Sequence, residues 1–313
     1  MDILRWLEGL RTPAGDFIFD KLTHLGGEIA VMILAISIFW CVNKKWGYYI
    51  LTVGFFGTIL SQFLKLVYRI PRPWILDPNF TIVESARAEA TGYSFPSGHT
   101  QNAVGTFGGL AACTNKIWPR IVCIALVILV PFSRMYLGVH TPLDVGIAFG
   151  AAVILLLVFY PLVMKSDAHP NRMYWLFGAM LVCCIAYICY VNFVLSPADF
   201  GTAAEDLANY TEGVKNGWSL TGALLGLLVT YLYDSRSMHF DEKAPLLGQL
   251  CKIVLGLGCV VAIRAGLSWV FGTLFPGQLI WNMPRYFLMV LMAGCVWPHT
   301  FPFFQKLGKK KTT

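Results

Sequence analysis

Along this chain, long apolar runs alternate with short polar connections. The runs are apolar throughout rather than at amphipathic spacing, as expected of helices surrounded by lipid. They predict helical spans at about 26–42, 47–66, 98–114, 118–137, 140–164, 173–195, 218–233, 251–271 and 285–297. The third, seventh and ninth are short against the roughly 20 residues that a bilayer crossing takes. The fold class that follows is all-α, a polytopic transmembrane helical bundle of about nine spans. Residues 1–25 differ. In MDILRWLEGLRTPAG, acidic and basic residues interrupt a short apolar stretch, unlike the h-region of a cleavable signal. The pattern predicts an N-terminal amphipathic helix lying in the interface, with Ile3, Leu4, Trp6, Leu7 and Leu10 on one side.

Composition agrees: 57% of the 313 residues are hydrophobic and 13% charged, against roughly 25% charged in a soluble domain. The net charge of +7 does not point to nucleic acid, because of where the charges fall. Alternate connections hold Lys44 and Lys45, Lys116 and Arg120, Lys165 and Arg172, then Arg236, Lys243 and Lys252. The opposite face holds an acidic loop, 196–216, with Asp199, Glu205, Asp206 and Glu212 against Lys215. The positive-inside rule makes the basic face cytoplasmic. The basic tail 304–313 then lies on that side, either near anionic headgroups or simply as a solubilising end. The nine cysteines lie mostly within apolar runs, show no C-x-x-C, and read as small apolar fillers.

Three motifs fall on the face opposite the cytoplasm. In KLVYRIPRPW, Lys65 ends the second span, and Pro71 and Pro73 hold the backbone around Arg72. PSGH opens the third span: a helix mouth suits an anion, Ser97 adds a hydroxyl, Gly98 lets backbone approach a ligand, and His99 follows. In SRMYLGVHTPLDV, Arg134 ends the fourth span and His140 starts the fifth. Asp144 comes four residues later, which predicts a shared helical face and a carboxylate fixing the imidazole tautomer. Three fixed cations, a helix mouth and two histidines suit phosphate. No cluster of Asp and Glu accompanies them to hold magnesium, so the pattern argues for phosphoryl transfer through histidine without metal.

The pattern K-x6-RP, PSGH, SR-x5-H-x3-D resembles that of the type 2 phosphatidic acid phosphatase superfamily, which includes lipid phosphate phosphatases and undecaprenyl-diphosphate phosphatases. All three motifs are present in order and without departure. The resemblance implies that His140 attacks phosphorus and forms a phosphohistidine, that Asp144 orients it, and that His99 protonates the leaving oxygen. It implies that Lys65, Arg72, Ser97, Gly98 and Arg134 bind the phosphate, with no metal or other cofactor. The expected activity is hydrolysis of a lipid phosphate or diphosphate monoester, with a membrane lipid phosphate as substrate and no nucleic acid as partner. The expected setting is a bacterial cell membrane, or the endoplasmic reticulum in a eukaryote, with the site on the extracytoplasmic or lumenal face and the C-terminus cytoplasmic. The resemblance covers about 26–164, a core of about five spans. Residues 165–303 form additional spans outside it.

Other features stand beside this reading. Arg264 lies in the middle of the eighth span, where a charge costs at least about 2.5 kcal/mol. It is expected to face the interior or a polar cavity, either on a substrate path or in an interhelical contact. Arg285 follows Pro284 on the outer side and is a second candidate for that path. Gly222 and Gly226 form a small-xxx-small pair expected to set close helix packing. The loop 196–216 reads either as a lid or as a solvated connection. Two other activities stay open. The same site used as a phosphotransferase would pass phosphate to a lipid or sugar acceptor. A non-catalytic transporter would leave the full motif set without a use.

Overall fold

The computed structural model describes residues 1–200 and 204–307, and its regular structure there is entirely helical. In chain order the helices are α1 (Asp2–Gly9), α2 (Pro13–Thr23), α3 (Glu28–Cys41), α4 (Lys44–Tyr68), α5 (Pro73–Leu76), α6 (Gly98–Ala103), α7 (Gly109–Cys113), α8 (Ile117–Tyr136), α9 (Pro142–Met164), α10 (Asn171–Cys189), α11 (Ala204–Tyr233), α12 (Leu246–Leu274), α13 (Asn282–Leu291) and α14 (Phe301–Phe304). Each of the nine expected stretches is met by helix. Six helical runs are long and apolar enough to cross a bilayer: Lys44–Leu76, Ile117–Tyr136, Pro142–Met164, Asn171–Val194, Leu246–Leu274 and Leu279–Phe304. Pro13–Gly26 with Glu28–Cys41, bent by 50°, makes a seventh if the pair is counted as one broken span. The two others fall short for visible reasons. The helix through α6, a π-helical turn and α7 is brief, and 218–233 is only the apolar half of α11.

The chain divides into two compact units, Met1–Ala35 with Tyr48–Asp167, and Ile36–Gly47 with the chain from Ala168 onward. In the first unit, α6 and the π-helical turn pack between α8 and α9. Ala103, Phe107, Cys123 and Val130 form a buried cluster there, with Leu22 and Leu34 against it. α8 turns Ile117, Trp118, Ile121, Val122 and Ile128 outward, as a helix bathed in lipid can without cost. The N-terminal segment, expected to lie in an interface, packs against the rest of the first unit. Leu4 and Leu7 are buried, Leu4 packing with Phe80 and Ile82, while Ile3, Trp6 and Leu10 face outward. Polar contacts close the same clasp: Arg5 reaches Asp77 at 2.5 Å, Arg11 donates to the Thr81 carbonyl at 2.7 Å, and Thr81 donates its hydroxyl to Glu8. The single apolar side expected for α1 is therefore split between protein and surroundings.

In the second unit, α11 packs against α10 and α13. Gly222 is what allows this: a Cβ there would lie 2.0 Å from the Met283 carbonyl oxygen. Lys252 is fully buried, donating to the carbonyls of Trp40 (3.0 Å) and Glu242 (2.7 Å) beneath the Phe301 ring. The expected acidic loop is mostly helix. A 3-10 turn at Pro197–Phe200 precedes α11, whose first turns bury Val214 and set the Tyr210 ring, tilted by 50°, against Phe200. Apolar positions at helical spacing, with the Glu212–Lys215 pair, support helix where the charge pattern read as a loop. Residues 201–203, and the tail beyond 307, lie outside the described residues.

Candidate active site

Five elements of the first unit, α4, α5, α6, α8 and α9, bring the motif residues together. Arg72 is the N-cap of α5, its backbone extended between two prolines. Its guanidinium is buried and held by three carbonyls: Nε to Gly92 (2.9 Å), Nη1 to Val139 (3.0 Å) and Nη2 to Thr91 (2.6 Å). Nη1 also lies 3.0 Å from His140 Nε2. A guanidinium can only donate, so Nε2 presents its lone pair and the ring proton sits on Nδ1. That is the tautomer a nucleophilic imidazole requires.

The chain reaches His140 through Gly138, whose φ of +81° reverses it after α8. A side chain there would strike Arg11 and Phe80. The expected helical relation of His140 to Asp144 is not what holds the pair. His140 precedes Thr141, the N-cap of α9, and Asp144 is the N3 residue of a capping box. Asp144 Oδ2 accepts from the Thr141 N–H (2.7 Å) and the Ser94 hydroxyl (2.6 Å), and stands 3.6 Å from His140 Nδ1. Oδ1 is buried without a partner. Asp144 thus serves helix and imidazole together. Burial first, then the charges of Arg72, Arg134, Lys65 and His99, hold His140 well below its ordinary pKa, so it rests neutral.

Arg134 lies near the end of α8 and is wholly buried. Nη1 donates to Thr23 Oγ1 at 2.7 Å, but Nε and Nη2 have no partner. Buried donors left unpaired are costly and rare, and these two are available to a ligand that can accept from them. Ser97 caps α6 and is buried, and its N–H donates to the Asp144 carbonyl at 3.2 Å. A Cβ on Gly98 would point into open space. Lys65, in the last turn of α4, acts electrostatically on both His140 and His99. The break between α2 and α3 brings Gly26 against the backbone of His99, where a Cβ would stand 2.9 Å from the His99 carbonyl oxygen.

Arg264 and Arg285 belong to the second unit. Arg264 is exposed on α12 rather than turned inward, as a long cationic side chain that snorkels along its own helix can be. Arg285 donates to Ser268 Oγ at 3.1 Å and to Asn282 Oδ1, and its Nε is buried without a partner. Three site residues escaped the sequence reading: Thr23, Ser94 and Glu89. Glu89 lies 2.9 Å from His99 Nε2. Thr23 and Ser94 carry no spacing signal, and Glu89 reads as one more loop charge. Among the described residues no group of three or more His, Cys, Asp and Glu is placed to hold a metal ion.

Comparison with known proteins bears on the same stretches. Residues 45–168 match a family model described as the PAP2 superfamily. Residues 218–310 match a second, described as PAP2 superfamily phosphatase, transmembrane extension. A probable sphingosine-1-phosphate phosphatase of Dictyostelium discoideum is 28% identical over 313 residues, 95% of this chain and 70% of that protein. An undecaprenyl-diphosphatase of Bacillus subtilis is 32% identical over 133 residues, 42% of this chain and 65% of that one. Sphingosine-1-phosphate phosphatase 1 of Rattus norvegicus is 26% identical over 157 residues, 48% of this chain and 36% of that one. The chain thus spans less than two thirds of the bacterial and rat proteins. No solved structure gives a significant match. The first family match encloses every motif residue from Lys65 to Asp144, the second covers most of the helices after α10, and on both grounds the chain belongs to the PAP2 superfamily.

Proposed function

We propose that the chain is an integral membrane phosphatase that hydrolyses a lipid phosphate through a phosphohistidine on His140, without a metal. The observation that carries this is Arg134, buried with two unpaired donors beside a buried, neutral histidine. In the first step His140 Nε2 attacks phosphorus, the bond to the lipid oxygen breaks, and His99 gives that oxygen a proton. In the second, water attacks the phosphohistidine, His99 takes the water's proton, and inorganic phosphate leaves. Lys65, Arg72, Arg134, Ser97 and the Gly98 N–H hold the equatorial oxygens. Positioning and charge stabilisation of this kind supply most of the catalysis in phosphoryl transfer.

A lipid substrate is supported by the setting: α2, which ends at Thr23, turns Phe17 and Ile18 outward. A single phosphate on a sphingoid-like chain is favoured over a diphosphate, because the match to the Dictyostelium protein runs over 95% of the chain. We place the catalytic core at 26–164, the further spans at 165–303, the site on the extracytoplasmic or lumenal face and the C-terminus in the cytoplasm. The test is phosphate release in EDTA from sphingoid phosphate, phosphatidate, undecaprenyl diphosphate and glucose 6-phosphate. Sphingoid phosphate should be the best substrate, and His140→Ala should lower its turnover by at least about 10³-fold. Loss of activity in EDTA, or an active His140→Ala, would defeat the mechanism.

A further inference from the structure

Outside the three motifs, Glu89 meets a site residue through its carboxylate. It ends the 3-10 turn Glu84–Glu89, and its carboxylate sits between two imidazoles. Oε2 lies 2.9 Å from His99 Nε2 and Oε1 lies 2.7 Å from His24 Nδ1. His24 follows α2 directly and is itself backed by Asp20, 3.9 Å from its Nε2. Asp20 is fixed in turn by Ser85 at 2.7 Å and Lys21 at 3.1 Å. Exposure rises along the chain of contacts, from 15% at the His99 side chain to 37% at Glu89 and 44% at His24.

Resting on the phosphatase reading above, we propose that Glu89 is the positioning residue for His99. It accepts the hydrogen bond from Nε2–H, makes Nδ1 the nitrogen that exchanges protons with the reaction, and links the ring to solvent through His24. The molecule then holds two histidine–carboxylate pairs with opposite tasks. Asp144 stands behind a histidine that must be neutral to attack. Glu89 stands behind one that must carry a proton to give away. Burial first, and then Arg134 and Lys65, oppose the charge on His99 and hold it down to about 4 without substrate, while Glu89 favours the charge, as an arriving phosphate would. His99 first, and then His24, hold the Glu89 carboxyl down to about 2 against the effect of burial, so it is anionic throughout the working range. In the first half-reaction the Nδ1 proton passes to the lipid oxygen as the P–O bond breaks. His99 is then neutral, with Nε2–H still on Glu89. In the second half-reaction Nδ1 takes a proton from the attacking water as the phosphohistidine bond breaks. His99 ends as it began, and Glu89 keeps its charge.

The experiment compares the wild type with Glu89→Gln, Glu89→Asp and His24→Asn, on the full chain, using a lipid alkyl phosphate and an aryl phosphate with a good leaving group. The acid matters most for the poor leaving group. Glu89→Gln should lower kcat on the alkyl phosphate by about 10²-fold and on the aryl phosphate by less than about tenfold, with KM nearly unchanged. Without the carboxylate the imidazolium is less stable, so the basic limb of kcat should move to lower pH by about one unit. Glu89→Asp, which keeps the charge, should restore much of that limb, and His24→Asn should fall between. Wild-type leaving-group sensitivity and pH profile in Glu89→Gln would overturn the proposal. So would an equal loss on both substrates with no shift of the limb, or, if Glu89→Gln does not fold, a His24→Asn profile identical to the wild type. His140→Ala run beside them separates the two claims: if it stays active, the phosphatase mechanism fails, and if it is dead while Glu89→Gln is normal, only the role of Glu89 fails.

Discussion

Arg72 is the residue on which the site's geometry turns. Three backbone carbonyls from two segments, 91–92 and 139, converge on its guanidinium, and the same group meets His140 Nε2 at 3.0 Å. A lysine keeps the charge but has neither the planar fork nor the reach to make all of these contacts. Arg72→Lys is therefore expected to lower kcat/KM by about 10²-fold or more, with the loss in kcat as well as KM, measured by steady-state release of phosphate. An Arg72→Lys enzyme within about threefold of the wild type would mean that the charge alone suffices. At this scale the motif residues were legible because their chemistry recurs at fixed intervals within single segments. Their contacts were less so. The four-residue interval from His140 to Asp144 was read as one helical face, whereas the two straddle an N-cap. Glu89 was invisible, since no spacing rule ties the end of a 3-10 turn to a helix mouth ten residues on.

Among the elements, the apolar runs foretold helices well because a chain in lipid must satisfy its backbone hydrogen bonds within each segment. What the runs could not convey was how far a helix continues into polar sequence, as α11 does, or that α1 divides its apolar residues between two surroundings. Glycines show where helices approach most closely. A Cβ on Gly222 would lie 2.0 Å from the Met283 carbonyl oxygen, and one on Gly226 would lie 2.8 Å from the Val290 side chain, whereas one on Gly258 in α12 would meet nothing within 4 Å. Backbone cannot yield as a side chain can. Gly222→Ala is expected to destabilise the protein by about 1–3 kcal/mol, seen as a lowered Tm in detergent. Gly258→Ala should be neutral or slightly stabilising, because alanine is the better helix former. Equal Tm values for the two variants would refute close packing of α11 on α13 through Gly222.

For the whole molecule, charge along the chain and contacts in space can be set against each other. Lys44 and Lys252 were assigned to one membrane face only because alternate connections are basic. Within the second unit both meet the same short segment: the Lys44 N–H donates to the Glu242 carboxylate at 2.8 Å, and Lys252 donates to the Glu242 carbonyl at 2.7 Å. Lys44 also pairs with the buried Asp234 at 3.1 Å. Those two lysines thus have structural partners as well as a place in the basic bias that orients the chain. If the proposed orientation holds, an exposed position beside the site and one beside Arg236 lie on opposite sides of the bilayer. Ala88 and Ser237 are exposed positions of these two kinds. Ala88→Cys should react with a membrane-impermeant maleimide in sealed, right-side-out vesicles, and Ser237→Cys only after permeabilisation. Each is measured above the signal of the parent chain, whose Cys189 is exposed. The reverse pattern would put the phosphate site on the cytoplasmic face and remove the reason for expecting a substrate from the outer leaflet. Labelling of both in sealed vesicles would mean that an odd number of the crossings counted between them does not span.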